Sequence, residues 1–597
     1  MENKIAELVR KQEQDYIDSP TTISKYVDFN MFETINTIEA YLNSKHISGS
    51  TDTMGREKPF FNIVTAVANI WFRATDIDRK NIKVKATKSK DIIASFLATV
   101  KLQEFMRKSR FGVFLNTWGQ TLSRYGSAVT KFVEKDGELT PAVIPWNRLI
   151  VDPVDFDSAP VIEVLEYTPA QLRMHDGYDK AMVEDLIDSQ SVRKNLDGTN
   201  KDTRDGFIRI YEVHGLMPLS YLTEKESDET TYVQQLHIVS FVAKSKGRKT
   251  EYEDYCLYKG KEAKNPYMIS HLIKEDGRTL AIGAVESLFD AQWMTNHSVK
   301  SMKDQLDLAS KLIFQTSDGS FVGQNALSNI ETGDILVHNP NEPLTQVNNN
   351  SHDLTSLQNY NQMWKNLAQE ISNTPDSLMG KNAPSGTAWR QVEAIQQEAN
   401  SLFELMTENK GLAIEDMMRE YIIPFVKKQL DTKEEIVATL EVSGIQKIDE
   451  MYIRNEAIRR SNKQVVETIL NGGIAEQPDL QMEQQNIQNE LSDMGNQRFY
   501  SPGEISWKEY FKDVEWDLEV DITGEQAQNQ NDLATLNTVF TTIAANPQIL
   551  QTKDGKMIFN KILEKSGTVS PAEISMQPSQ ISQELPQQAP QSQPVPN

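Results

Sequence analysis

The 597-residue sequence predicts a helix-rich α+β fold: a mixed domain in the first half, then long helices set around a small β-containing module. Three observations predict it. Apolar residues recur at helical spacing over the first 50 positions, strand-like alternation takes over from Ala128, and uninterrupted helical stretches follow Ala284. With 39% hydrophobic and 25% charged residues, the chain has enough apolar mass for several cores.

In the first 50 residues, Met31, Ile35, Ile38 and Leu42 mark an amphipathic helix. An apolar stretch spans Phe60 to Phe72. A helical run is expected from Asp91 through Gln120, carrying Phe96, Val100, Phe105, Phe111 and Leu115. From Ala128 to Pro145 the apolar period shortens to two, broken by Lys135-Asp136-Gly137, where an Asp-Gly step suits a tight hairpin turn. Further strands are expected at Phe207–His214, Val233–Val242, Tyr255–Tyr258 and Tyr267–Ile273, with polar segments such as Thr223–Thr230 between them. Residues 1–283 therefore read as one α+β domain.

A helix of about 29 residues, ~43 Å long, is expected over 284–312. Val285, Leu288, Val299, Met302, Leu306 and Ile313 form its apolar stripe. Trp293, Met294 and Leu308 lie off that stripe, available either to a second copy of the chain or to packing within it. Lys300, Lys303 and Lys311 are spaced to pair with Asp304 and Asp307 one turn away, which competes with any role for them in contacting phosphate. Residues 313–350 form a compact module whose strand-like pieces, Gly319–Val322 and Asp334–His338, are set off by Gly333, Pro340 and Pro343.

A second helix is expected over Asp353–Ser372, with Leu354, Leu357, Tyr360, Trp364, Leu367 and Ile371 at helical spacing. Pro375, Gly380, Pro384 and Gly386 then prevent helix, so 373–386 reads as a loop with Lys381 its only cation. A helix of about 37 residues, ~55 Å, starts at a Thr387 cap and carries Val392, Ile395, Ala399, Leu402, Met406, Ile414, Met417 and Tyr421 to Pro424, which should end or kink it.

Beyond Pro424 the chain reads helical again from Ile445 to Leu470, then Gln-rich from Glu476 to Gln497. Glu515–Ile522 alternates strictly, with Trp516, Leu518, Val520 and Ile522 on one strand face and four carboxylates on the other. Same-face positions are ~7 Å apart along a strand, so those carboxylates read as a solvated face rather than a metal site. Residues 566–597, rich in Pro, Gln and Ser, are expected to be a disordered tail.

Composition removes several function classes. The one cysteine, Cys256, rules out internal disulfides and multi-cysteine zinc sites and reads as an ordinary strand thiol. No stretch has the ~18 apolar residues of a membrane span, and the opening MENKIAELVRKQEQ is too charged for a signal peptide. A net charge of −23 argues against a protein that grips DNA. The sequence holds no phosphate-cradling Gly-x-x-x-x-Gly-Lys-Ser/Thr run, no Gly-x-Ser-x-Gly elbow and no His-x-x-x-His pair. Asp152, Asp155 and Asp157 cluster, but beside Pro153 and Pro160, which marks a turn. No enzyme activity, cofactor or metal is expected; a metal-dependent nuclease is the weakest alternative.

The element order resembles one family. Helix, small module, helix, Gly/Pro loop and very long helix, downstream of a mixed domain, is similar to the portal protein of tailed bacteriophages. Four segments share the resemblance: Trp118–Ala128, Val143–Pro153, Gly283–Asp290 and Pro384–Arg390. It covers roughly residues 55 to 525, and the order of the segments carries it more than any one of them. The resemblance implies a portal-like fold: a wing over 1–283, stem helices at 284–312 and 351–372, and a clip at 313–350. A tunnel loop at 373–386, a spine helix at 387–430 and a crown or wing return at 431–565 complete it. It implies a structural, non-enzymatic subunit in a ring, a dodecamer in that family, at one capsid vertex of the virion, assembled in the bacterial cytoplasm. Double-stranded DNA would pass through the ring during packaging and ejection. The partners implied are the terminase large subunit, the major capsid or scaffolding protein, and tail adaptor or neck proteins, with no membrane. Met379, Gly380, Lys381, Asn382 and Gly386 would face DNA, Lys300, Lys303 and Lys311 could line the channel, and Phe321, Asp334 and His338 would serve docking in the clip. Another virion component, a neck or capsid protein, is the alternative.

Overall fold

The computed structural model describes residues 4–18, 21–25, 27–52, 55–77, 82–86, 101–135, 137–197, 206–223, 228–246, 249–309, 314–315, 341, 345–346, 354–374, 389–430, 453–454, 456–466, 480–493 and 516–520. Two compact units divide the chain. One comprises 1–75 and 79–520 and holds every element named below; the other comprises 76–78 and 521–597, nearly all outside the described residues.

The first 50 residues are not helical throughout. Helix α1 (Lys4–Asp18) and helix α2 (Met31–Leu42) flank a short hairpin of β1 (Thr21–Ser24) and β2 (Val27–Phe29). Asn30 caps α2 by accepting from the Glu33 amide, and Met31, Ile35 and Ile38 are buried as their spacing predicts. Helix α3 (Val64–Ala74) takes up the apolar stretch at 60–72. Strand β3 (Ile82–Ala86) follows.

The run expected as one helix over 91–120 is two where it is described. Residues 101–108 form α4 and Phe111–Tyr125 form α5, because Arg110 takes a left-handed conformation (φ 51°) that interrupts the helical ladder. Phe105 and Phe111 pack their rings across the break, a tertiary gain that periodicity does not reveal.

The Asp-Gly hairpin is present: β4 (Ser127–Lys135) pairs antiparallel with β5 (Glu138–Ile144), and Gly137 has φ 76°. Short β6 (Leu149–Ile150) and β7 (Val161–Tyr167) are followed by α6 (Pro169–Met174) and α7 (Lys180–Asp197). Next come β8 (Ile208–Pro218), a helical turn α8 (Ser220–Thr223), β9 (Tyr232–Lys246), β10 (Lys249–Lys261) and β11 (Tyr267–His271). Strand β10 is far longer than the Tyr255–Tyr258 its apolar pattern suggests, because backbone pairing to β9 carries it through charged positions. Cys256 sits half-buried on β10 at a register shift.

These strands form two antiparallel sheets, one in the order β10-β9-β8-β7-β6 and one in the order β11-β4-β5. Alternation along β8 divides its faces: Tyr211 and Val213 join the core shared with α1, while Ile208 and Ile210 join a second core under α6 and α7.

Helix α9 (Phe289–Ala309) is preceded by a 3-10 turn at Glu286–Leu288. Two-residue strands β12 (Phe314–Gln315) and β13 (Thr345–Gln346) pair antiparallel and bring the two ends of the intervening module together. Helix α10 (Leu354–Ile371) packs on α9. Helix α11 (Trp389–Met417) passes through a π-helical turn, Met418–Ile422, into α12 (Ile423–Leu430). Pro424 explains the turn. Lacking an N–H and crowding the carbonyl four residues back, it is accommodated by a wider local helix rather than by a stop.

Residues 456–466 form α13 and Leu480–Asp493 form α14, so part of the Gln-rich segment is helical; Ala457 and Ile487 are buried in a small core there, and Arg460 holds Glu490 at 2.9 Å. Strand β14 (Trp516–Val520) pairs with β3, opposing Asp517 to Lys85 and Glu519 to Lys83. That register gives the alternating acidic face lysine-bearing positions as neighbours, and a chain separation of over 400 residues hides it from local reading.

Candidate functional site

Three of the segments that carry the sequence resemblance meet at one place, the C-terminal end of α5. Gly126 ends that helix in a left-handed conformation (φ 77°), and the segment before α9 crosses directly over it. A Cβ at Gly126 would lie 2.6 Å from the Ala281 carbonyl oxygen; one at Gly283 would lie 2.5 Å from the Gly126 nitrogen. Both positions therefore require glycine, for a close approach of backbone to backbone. Hydrogen bonds fix the crossing: Ala284 N donates to Ser123 O at 3.0 Å, Leu272 N to Gly126 O at 2.8 Å, and Ala281 N to Ser127 Oγ at 2.8 Å.

The segment 143–153 closes the junction from a third side. Buried Trp146 donates Nε1–H to Ser127 O at 2.9 Å, Thr279 Oγ1 donates to Asp152 O at 2.6 Å, and Thr279 N donates to Pro153 O at 2.8 Å. Arg278 adds an ion pair with Glu286 at 2.8 Å while lying over the Phe29 ring. The start of α9 is thus clamped to both sheets' connecting segments. Asp152, in the acidic cluster, accepts from the Val154 and Asp155 amides at 2.9 and 3.1 Å, the turn its prolines indicate. Among the described residues no group of three His, Cys, Asp or Glu could hold a metal ion.

The hairpin of α9 and α10 inverts the expected burial. Its inner face is polar: Gln292, Thr295, Asn296, Ser298 and Asn361 are buried. Gln292 accepts from Ile63 N at 2.9 Å and donates to Phe61 O at 2.7 Å, and Asn296 Oδ1 accepts from Phe61 N at 2.9 Å. Two side chains one helical turn apart thus hold an extended backbone segment much as a neighbouring strand would. Asn361 donates to Ser298 Oγ at 2.6 Å and Thr295 O at 3.3 Å, joining the helices. At the far end of α10, Trp71 Nε1 donates to Ser372 O at 3.0 Å.

Among the described residues the expected apolar stripe of α9 is buried only at its start, at Val285 and Leu288; Val299 and Met302 are half-buried, Leu306 is exposed, and Ile313 lies outside the described residues. Trp293 is 55% exposed and stacks on His297, Met363 is 46% exposed and Ile371 54% exposed. Tyr360 is also exposed, and with Met363, Leu367 and Ile371 it lines one outward face of α10. Met294, by contrast, is used within the chain, accepting from the Tyr360 hydroxyl at 3.7 Å.

Of the lysines read as channel candidates, Lys303 donates to Glu57 O at 3.2 Å and Lys300 is half-buried. Asp304, expected to pair with Lys300, lies 3.2 Å from Arg56 instead, since a loop partner outcompetes the intrahelical one. Lys311, the loop residues Met379, Gly380, Lys381, Asn382 and Gly386, the module residues Phe321, Asp334 and His338, and the tail 566–597 lie outside the described residues.

Helix α11 returns to the body through contacts that sequence reading missed. Lys410, 2% exposed, donates to Thr75 Oγ1 at 2.6 Å and Thr75 O at 2.9 Å, capping the end of α3. Asn409 donates to Leu272 O at 2.6 Å, and Tyr421 stacks on Phe132 of β4 at 4.1 Å between centroids. A lysine at a position between Met406 and Ile414 carries no signal of burial except its place on the apolar stripe. No protein-family model matches the chain, and no curated protein does.

Proposed function

We propose that this chain is a ring-forming structural subunit of a phage portal, building a channel at one capsid vertex for DNA packaging and ejection, with no catalytic role of its own. The observation that carries the reading is the α9–α10 hairpin: anchored at its base, polar within and apolar on its outer face. A surface of that kind is satisfied by further copies of the same chain, and a closed ring leaves no copy's contact face open. The seating of α11 on the body, where Asn409 donates to Leu272 O and Lys410 to Thr75 O, supports the same reading.

The DNA-passing role rests on the net charge of −23, which favours sliding over gripping. Terminase and adaptor proteins are the partners proposed for the module at 313–350. Negative-stain images of the purified full chain test the proposal: rings with a central hole are expected. Shells, filaments, or a monomer that persists at high concentration would overturn it, shells or filaments favouring another virion component.

A further inference from the structure

A buried ionic cluster ties the two sheets together away from the junction. Lys131 on β4 places Nζ 2.8 Å from Glu163 Oε2 on β7 and 2.8 Å from Glu212 Oε2 on β8. Tyr267 on β11 donates its hydroxyl to Glu163 Oε2 at 2.7 Å. His214, on β8 and 2% exposed, stands between two carboxylates: Nε2 is 2.8 Å from Glu212 Oε1 and Nδ1 is 2.9 Å from Glu262 Oε2.

A carboxylate on each ring nitrogen is matched only when both nitrogens carry hydrogen, which is the imidazolium form. The charge balance requires the same. The sheet register sets Glu163 directly opposite Glu212, a repulsive pairing by itself; Lys131 meets both, and the third carboxylate, Glu262, meets His214. This side also carries the phenols of Tyr167 on β7, Tyr178 before α7 and Tyr255 on β10, all pushed upward, first by burial, and so neutral, and that of Tyr258 on β10, opposite Ile238. His237 on β9 is opposite Val213 rather than His214, which puts it on the other face of the sheet, where it bonds Gln235 Oε1 at 2.8 Å.

We propose that His214, held as an imidazolium between Glu212 and Glu262, is a pH-responsive pin coupling the β11-β4-β5 sheet to the five-stranded sheet. Lys131 lies four residues along β4 from Ser127, ~13 Å at strand rise, so loosening the cluster acts on the strand from which the junction is built. The inference does not depend on the portal reading.

Burial opposes the charge on His214, but the hydrogen bonds and charges of Glu212 and Glu262 outweigh it and raise the ring above its ordinary value of 6.5. Its stabilising contribution is therefore complete below that value and is lost as pH climbs through the folded one. Burial would raise Glu212, yet His214 and Lys131 hold it at about 2, so its contribution is present above 4.5 and lost on acidification toward 2. The cluster is at full strength between those limits.

Hydrogen exchange of the full chain, read by mass spectrometry on peptides covering β4, β8 and β11 and corrected for intrinsic rates, tests the pin. The opening constant of these strands should rise by up to about tenfold per pH unit above ~6.5 and then level off. His214→Gln should abolish the pH dependence. Glu262→Gln, which keeps the histidine and alters only the more exposed carboxylate, should move the rise to lower pH and shrink it. A parent profile that is flat, a His214→Gln profile with the parent slope, or a Glu262→Gln profile identical to the parent's would each overturn the proposal. If His214→Gln does not fold, the Glu262→Gln comparison decides it.

Discussion

At the crossing of Gly126 and Gly283 the chain is held by backbone against backbone, whereas the outer face of α10 presents Tyr360, Met363 and Ile371 to solvent. The first region has no room for one additional carbon; the second tolerates almost any side chain as far as the fold is concerned. Steric constraint at the base and freedom on the outer face separate what the hairpin needs in order to exist from what it offers to another molecule. Between the two lies a polar inner seam, Gln292, Asn296 and Asn361, which gives the hairpin a fixed seat through hydrogen bonds.

The largest effect should come from the crossing. Gly126→Ala forces a Cβ into the Ala281 carbonyl from a left-handed backbone, and should cost on the order of 3 kcal/mol or more, measured by chemical denaturation. A loss below about 1 kcal/mol would mean the segments can separate and the junction is not rigid. Gln292→Leu comes next. It strands the Phe61 carbonyl and the Ile63 amide and should cost about 1–3 kcal/mol, with faster hydrogen exchange at residues 61–63 as the local readout. Trp146→Phe keeps the packing and removes one donor from Ser127 O, so about 1 kcal/mol is expected. Met363→Glu should leave stability within about 0.5 kcal/mol while abolishing the proposed self-association, read by sedimentation velocity beside the parent chain. Assembly at the parent's level in that variant would show that the outer face of α10 is not the contact.

Much of the element plan was legible in the residues. The Asp136-Gly137 hairpin, α2 with its Met31, Ile35 and Ile38 face, α10 and the strand at 516–520 follow from period and turn chemistry, which act over a few positions. Pro424 announced a disturbance, though not that a π turn would absorb it. The break at Arg110 and the hairpin at 21–29 were not legible from local period, since Phe105 beside the break packs on distant Phe425 and Phe29 of the hairpin joins the core of the sheets.

The candidate site divides in the same way. The glycines at 126 and 283 and the tryptophan at 146 stand in segments whose sequence drew attention, yet that they meet is a fact of tertiary structure. The inner seam of α9 was misread, since apolar spacing points to Val299, Met302 and Leu306 while backbone groups at 61–63, more than 200 residues away, recruit Gln292 and Asn296 inward. Lys131, Glu163, Glu212 and His214 look like ordinary strand charges until two sheets bring Lys131 to 2.8 Å from both Glu163 and Glu212, with His214 2.8 Å from Glu212.

By itself the sequence determined the periods, the turns, the long helices and a strongly acidic balance, because those depend on neighbours along the chain. Tertiary structure alone decided which backbone passes which, which charges lose water together and which helix faces stay open. Those outcomes depend on partners far apart in sequence, and no local preference encodes a partner.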